Sequence, residues 1–368
     1  MKNAFHILHF TFYIFLSACS RSQTTAPAPP PFTATPPSAA APREDGPDSS
    51  PAPQVSALVF RPPTGQDVLD GSLTTNVFMH TGTGNPESGM YGDIRTGNDG
   101  RARYHGGIDI APLQRDRRGN ALDTVHAIAD GRVAYVNRSS GSSNYGIYIV
   151  LTHREPAFGE MYSLYAHLAS VAPGLAAGQD VSAGHTLGVM GHTPDIPKAR
   201  CHLHLETGLV FTTRFASHAT ARKLTNSHGN WNGRALQGFN PCDLYAKLDA
   251  GGRFDLAAHV QSLPPAFRAL ARVEKPVGFF ERYPSLWQGA PLATNKFPAW
   301  VLIDFSAEGL PVFGRLATPS EQPAAGSHQL FSVDENVLGR NGRRLVGKGK
   351  NGWALTQNGL DWIALLLL

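Results

Sequence analysis

Cysteine is scarce in this chain, with three among 368 residues, at positions 19, 201 and 242. No dense disulfide framework can therefore hold the fold together. Charge is also thin: 16% of residues are charged and the formal net charge is +4. That mild excess would favour an anionic surface but is too small to name a partner, and no nucleic-acid role is expected from it. Beyond the N-terminus no apolar run reaches the roughly 18 residues a membrane-spanning helix needs. The apolar run 365–368 is far too short. What remains is ordinary globular material, 42% apolar, and long enough for two or three units at about 150 residues each.

Histidine is where the sequence becomes specific. Of 15 histidines, several fall in three segments with even spacing: His105-Gly-Gly-Ile-Asp109, Tyr165-Ala-His167 and His202-Leu-His204. One such pair could arise by chance on a solvated strand. Successive side chains of a β-strand alternate faces, so residues two or four apart point the same way. His105 and Asp109 would share one face, with Ile108 and Ile110 opposite. His202, His204 and Glu206 would share another, with Leu203 and Leu205 behind them, and Tyr165 and His167 would pair likewise. Three amphipathic strands then offer imidazoles and a carboxylate on one side, which is how a sheet would build a metal site.

In this order the three motifs resemble the lysostaphin-type (LytM-type) zinc endopeptidases, which cut bacterial peptidoglycan. The punctuation between them agrees: Ala127-Ile-Ala-Asp130-Gly131, the glycine-marked turns at Gly178, Gly184 and Gly188, and Asn240-Pro241. The resemblance covers roughly residues 57–248 and is silent on the last third. It departs from the family pattern before His202, where Arg200-Cys201 stands instead of Gly-Pro. It departs again at 212–238, a longer polar stretch containing His218, His228 and Trp231. That stretch could wall a groove or be a tolerated surface insertion.

Carried over residue by residue, the resemblance implies that His105, Asp109 and His204 hold Zn2+, leaving the fourth position to water. His167 and His202 would not bind metal. They would take the water's proton and stabilise the oxyanion or protonate the leaving amine, as a side chain titrating near 6.5 can. Glu206 would be a partner orienting a histidine, or a solvated carboxylate on the rim, with the rim favoured. Tyr165 and Tyr104 read as packing residues as readily as substrate contacts. The implied function is hydrolysis of peptide cross-links between peptidoglycan stem peptides. The alternative is a non-catalytic lipoprotein that binds the wall and activates a cell-wall amidase, although such relatives lack ligands that are present here.

The expected organisation is mainly β. Residues 1–19 read as a leader, with Leu16-Ser-Ala-Cys19 resembling a bacterial lipoprotein signal that would lipidate Cys19. This implies a protein anchored in the cell envelope and facing the periplasm, with the outer membrane favoured because Ser20, not aspartate, follows. Residues 20–56, rich in proline and alanine, read as a disordered tether. Residues 57–250 read as an antiparallel-sheet peptidase domain with an open groove. Residues 251–368 read as a helix near 254–263 followed by a small β-rich domain whose three Asn-Gly pairs mark hairpin turns. Arg343, Arg344, Lys348 and Lys350 could make that part a wall-binding module, though a packing appendage is the simpler reading. In relatives the Asn-Pro segment returns beside the His-x-His strand, which makes a Cys201–Cys242 bridge the expectation in an oxidising compartment. The alternatives are two inert thiols, or Cys201 as an added ligand, the latter disfavoured because it neighbours His202 and faces away.

Overall fold

The computed structural model describes residues 58–66, 68, 77–97, 100, 102–289, 297–323, 326 and 328–368. The leader, the tether and Cys19 lie outside the described residues. From the N-terminal side the strands are β1 (Ile94–Thr96), β2 (Ala102–Tyr104), β3 (Ile108–Ile110), β4 (Thr124–His126), β5 (Gly131–Asn137), β6 (Ile147–Glu155), β7 (Gly159–Val171), β8 (Asp180–Val181), β9 (Thr186–Met190) and β10 (Leu203–Val210). Helix α1 (Phe215–Ala221) and strand β11 (Leu236–Phe239) follow. Strands β1 and β2 form a separate hairpin, and the others make one antiparallel sheet in the order β11-β10-β7-β6-β5-β8. Strands β3, β9 and β4 complete it.

Strand β10 is buried along its whole length, because both its faces are covered. Leu203, Leu205 and Leu209 enter the main apolar core with Ile108, Ile110, Ile149 and Tyr165. His204 and Glu206 turn to the other face, where Tyr148, Val150, Tyr162, Leu164 and Ala166 are also buried. This second face is roofed by Tyr135, Tyr145 and Trp231. The segment 212–238 is thus folded against the sheet: the Tyr148 hydroxyl donates to the Trp231 carbonyl at 2.9 Å, and the His228 ring bonds the Tyr135 hydroxyl at 2.9 Å.

One edge of β10 is shared. Leu203, His204 and Leu205 pair with β3, whereas Thr207 to Val210 pair with β11. Strand β11 must therefore end at Phe239, and the chain turns at once into α2 (Pro241–Ala246), with the Asn240 side chain capping the Cys242 amide. This overturns the expected disulfide. Cys201 and Cys242 are both free and buried, because β3 occupies the edge along which Cys242 would have travelled toward Cys201. Both thiols sit in the apolar core, and burial, reinforced by Asp243, pushes the Cys242 thiol up to about 12.

The crossing of β3 over β10 also fixes Gly107. A Cβ there would collide with the Leu205 carbonyl and lie 3.0 Å from both Glu206 Cγ and His204 Cε1. Gly107→Ala is expected to destabilise the fold by about 1–3 kcal/mol, the usual cost of overpacking. An unchanged urea midpoint would show that β3 sits elsewhere.

The rest of the chain adds α3 (Leu256–Ser262), β12 (Phe267–Val273), α4 (Gly278–Arg282), β13 (Trp287–Gln288), β14 (Ala299–Phe305), β15 (Pro311–Leu316), β16 (Gln329–Val333), α5 (Glu335–Leu338), β17 (Val346–Gly349), β18 (Gly352–Leu355) and α6 (Gln357–Leu366). Its five-stranded sheet runs β13-β15-β14-β12-β16 and its core is continuous with that of the first sheet. The Tyr283 hydroxyl ties the two together, accepting from the Val210 amide at 2.9 Å and donating to the Glu160 carbonyl at 2.6 Å. The described residues fall in one compact unit.

The expected meander holds at β17–β18, a hairpin closing through Lys350 and Asn351. It fails at Asn358-Gly359, which lies in the first turn of α6. There Thr356 Oγ1 caps the Gly359 amide at 3.1 Å, and Ile363 and Leu366 are buried at helical spacing. An N-cap and an apolar stripe outweigh a turn dipeptide.

Candidate metal centre

His105 leaves the end of β2, Asp109 lies in β3 opposite His204 of β10, and the three converge. His105 Nε2 is 3.0 Å from Asp109 Oδ1 and 3.0 Å from His204 Nδ1, and His204 Nδ1 is 2.8 Å from the same carboxylate oxygen. Three donors this close can be bridged by one ion at the ~2.0–2.2 Å of zinc–nitrogen and zinc–oxygen bonds. They are the one such group of at least three metal-ligating side chains among the described residues. All three are buried, with exposures of 4%, 1% and 6%, so an ion here would be shielded from solvent on the protein side.

The outer contacts set which atom each ring offers. His105 Nδ1 donates to the Met90 carbonyl at 2.7 Å, leaving Nε2 bare toward the centre. His204 Nε2 donates to Glu206 Oε1 at 3.0 Å, leaving Nδ1 to face the centre. Asp109 Oδ2 accepts from Arg95 Nη2 at 2.6 Å, leaving Oδ1 to the metal. Such outer partners fix tautomer and orientation in metal sites generally. Glu206 is thus no rim carboxylate. It is buried and also accepts from Tyr145 at 2.8 Å and Tyr162 at 3.2 Å.

His202 and His167 stand beside this triad. His202 lies just ahead of β10, bridged to Gly191. Its Nδ1 donates to the Arg200 carbonyl at 2.7 Å, so its bare Nε2 faces Asp109 Oδ1 at 3.5 Å. The His167 ring meets that of His202 edge-on, centroids 4.7 Å apart. Strand alternation does not deliver it there. Tyr165 points into the core, where its hydroxyl accepts from the Ile128 amide at 2.9 Å and from Ser163 at the same distance. His167 reaches the opposite face because its backbone adopts φ +59, a left-handed conformation uncommon in residues other than glycine. The Tyr145 carbonyl pins it, accepting from the His167 amide at 2.9 Å. A bulge of this kind re-aims a side chain. Its Nδ1 is buried without a hydrogen-bond partner, a group that a bound substrate or water would satisfy.

Electrostatics divides the five residues. Burial, with neighbouring imidazoles adding to it, holds His167 well below the usual histidine range. Burial also lowers His202, against the pull of Asp109, so both rings are neutral near pH 7. Burial alone would raise Asp109, but His105 and His202 outweigh it and hold the carboxyl well below its usual range. Burial also disfavours a charged His204, yet its bonds to Asp109 and Glu206 prevail and hold it up at about 9. Zinc takes only the deprotonated ring. Apparent zinc affinity is therefore expected to rise about tenfold per pH unit up to about pH 9 and to level off above it. A competition titration with a chelating dye checks this, and a flat profile between pH 7 and 9 would contradict it.

Residues 103–211, which contain all five side chains, match the model of Peptidase family M23. This segment, less than a third of the chain, is similar to the M23 peptidases. Solved structures similar to it include a zinc-containing peptidase from Vibrio cholerae, 24% identical over 32% of this chain and 31% of that one, TM-score 0.24. The lysostaphin catalytic domain from Staphylococcus simulans is 23% identical over 42% of this chain and 88% of that one, TM-score 0.27. A third, described as a glycyl-glycine endopeptidase from Ruminococcus gnavus, is 28% identical over 28% of this chain and 39% of that one, TM-score 0.21. The match thus spans about a third of the Vibrio peptidase. A search of curated proteins finds no match. His105, Asp109 and His204 form a group that could hold a metal ion, and two imidazoles with one carboxylate, once His204 loses its extra proton, are a donor set that suits Zn2+.

Proposed function

We propose that the chain is a zinc-dependent endopeptidase that hydrolyses peptide cross-links between stem peptides of bacterial peptidoglycan. The observation that carries this reading is the pair of neutral histidines, His167 and His202, standing beside a three-donor set that leaves a coordination position free. A purely structural zinc would be closed by a fourth protein ligand.

Zinc held by His105, Asp109 and His204 would supply Lewis acidity, polarising the scissile carbonyl and acidifying a water. His202 presents Nε2 as a base, its tautomer set by the Arg200 carbonyl. His167, held in place by Tyr145, would stabilise the oxyanion, and His202 would return the proton it took from the water to the departing amine. Histidine suits both tasks, because a ring that is neutral at pH 7 accepts a proton and returns it. Arg95 neutralises Asp109 from behind, and Glu206 does the same for His204. The amidase-activator reading needs a broken site, whereas here all five side chains converge.

The reading extends to a protein tethered by lipid at Cys19 to the envelope and facing the periplasm. In that setting the bond cut is the D-alanyl–diaminopimelyl link, with a glycine bridge as the alternative. Incubation of the full chain with purified peptidoglycan, followed by mass analysis of the fragments, tests it. Loss of cross-linked dimers that a chelator stops and zinc restores is expected, and the fragment masses name the bond. Intact dimers in the presence of bound zinc would refute the proposal.

A further inference from the structure

A cavity of about 870 Å³ opens between the M23 segment and the C-terminal part, lined by Tyr104, Arg234, Arg343, Arg344 and Trp362 among others. Tyr104 directly precedes the metal-site residue His105. A Cβ built on Gly106 would lie 3.8 Å from Arg343 Nη2 and 3.7 Å from Glu206 Oε1, the oxygen that receives the His204 proton. The cavity therefore abuts the groups that orient the metal site.

Arg343 is held in this position by ring contacts, and its charge also favours the ionised form of the buried Glu206. Its guanidinium lies over the Tyr104 ring at 4.3 Å and the Trp362 ring at 5.0 Å. Its Nε is buried with no hydrogen-bond partner, and no carboxylate of the described residues forms an ion pair with it. The turn that carries it is clamped: Arg340 pairs with Asp93 at 3.1 Å, and Asn341 Nδ2 donates to the Val346 carbonyl at 2.8 Å. Asn341 and Arg344, on either side, both have positive φ, +46 and +53. Backbone strain of this kind collects at ligand sites. Trp362 is fixed as well, its Nε1 donating to the Gly309 carbonyl at 2.8 Å.

An arginine between two aromatic faces keeps its in-plane N–H groups free, and that fork matches a carboxylate. Arg234 and Arg344 add positive charge at the rim, while Asp361, the acidic residue of the lining, is engaged by Gln357 at 2.9 Å. We propose that this cavity is a subsite for a free carboxylate of the peptide substrate, anchored by Arg343. The C-terminal part would then belong to the substrate site rather than being an appendage. The occupant rests on the peptidase reading above, and the anion site itself does not.

The test uses the full chain with two probes, acetyl-lysyl-D-alanyl-D-alanine as the free acid and as its C-terminal carboxamide, titrated calorimetrically with and without zinc. The acid is expected to bind at least tenfold more tightly than the amide, and to do so after zinc removal as well. Arg343→Gln is expected to erase that difference, and Arg343→Lys, which keeps charge and stem but loses the fork, to retain only part of it. Equal affinity of acid and amide for the wild-type chain would overturn the subsite. So would a preference that survives Arg343→Gln or vanishes without zinc, since it would then belong to the metal. A preference lost in Arg343→Gln, in a chain that cuts no peptidoglycan, would keep the subsite and remove the peptidase.

Discussion

Replacing His202 by alanine is expected to lower kcat for cross-link hydrolysis by about 10²–10⁴-fold, the range for loss of a general acid or base, with bound zinc unchanged. The reason lies in the hydrogen bonds. His202 spends its Nδ1 proton on the Arg200 carbonyl, so its bare Nε2 is the atom that faces the centre. Burial, only partly offset by Asp109, keeps it neutral. The three donors at 2.8–3.0 Å from one another do not include it. KM is expected to move little, because the ring acts on the proton rather than on substrate affinity. Steady-state kinetics beside a zinc assay checks both halves. If the His202→Ala variant loses the metal, His202 is a ligand, and the roles drawn here are wrong.

Asp109→Ala is expected to remove zinc altogether and to weaken the metal-free fold. Asp109 is 1% exposed and accepts at once from Arg95 and from the imidazoles. Without it, the Arg95 guanidinium keeps the Ser88 carbonyl but no carboxylate. Breaking a fully buried pair costs about 3–5 kcal/mol, and because Arg95 is 24% exposed the loss is expected below that range. The sign with pH follows from the depressed carboxyl of Asp109. Its stabilisation is fully present above the ordinary carboxylate pKa of about 3.9 and is lost as pH falls toward the lower folded value. Urea unfolding in chelator should therefore separate wild type from variant at pH 7 and bring them together in strong acid. Equal stability at pH 7, or zinc retained, would contradict the assignment.

The site was legible in the sequence wherever strand alternation sets it. His204 and Glu206 share a face of β10, and Asp109 stands opposite His204 in the ladder. Alternation misled at His167, which a left-handed residue carries to the other face from Tyr165. No spacing rule anticipates that. Glu206 was undervalued because its burial comes from tyrosines distant in sequence. Arg95 and Tyr145 carry no local signal at all: one lies in a short hairpin, the other in a serine–glycine loop, and each acts only through the tertiary fold. The disulfide failed for a topological reason, since β3 and β11 compete for one edge of β10. At α6 an Asn-Gly pair promised a turn, but a threonine cap and an apolar stripe made a helix.

X-ray absorption at the zinc edge of the loaded chain tests the central claim most directly. One zinc per chain with two imidazole nitrogens, one carboxylate oxygen and one further light-atom ligand from solvent is the predicted shell. A third or fourth imidazole, or sulfur from Cys201, would mean that no coordination position is left for chemistry, and the hydrolytic account would fall.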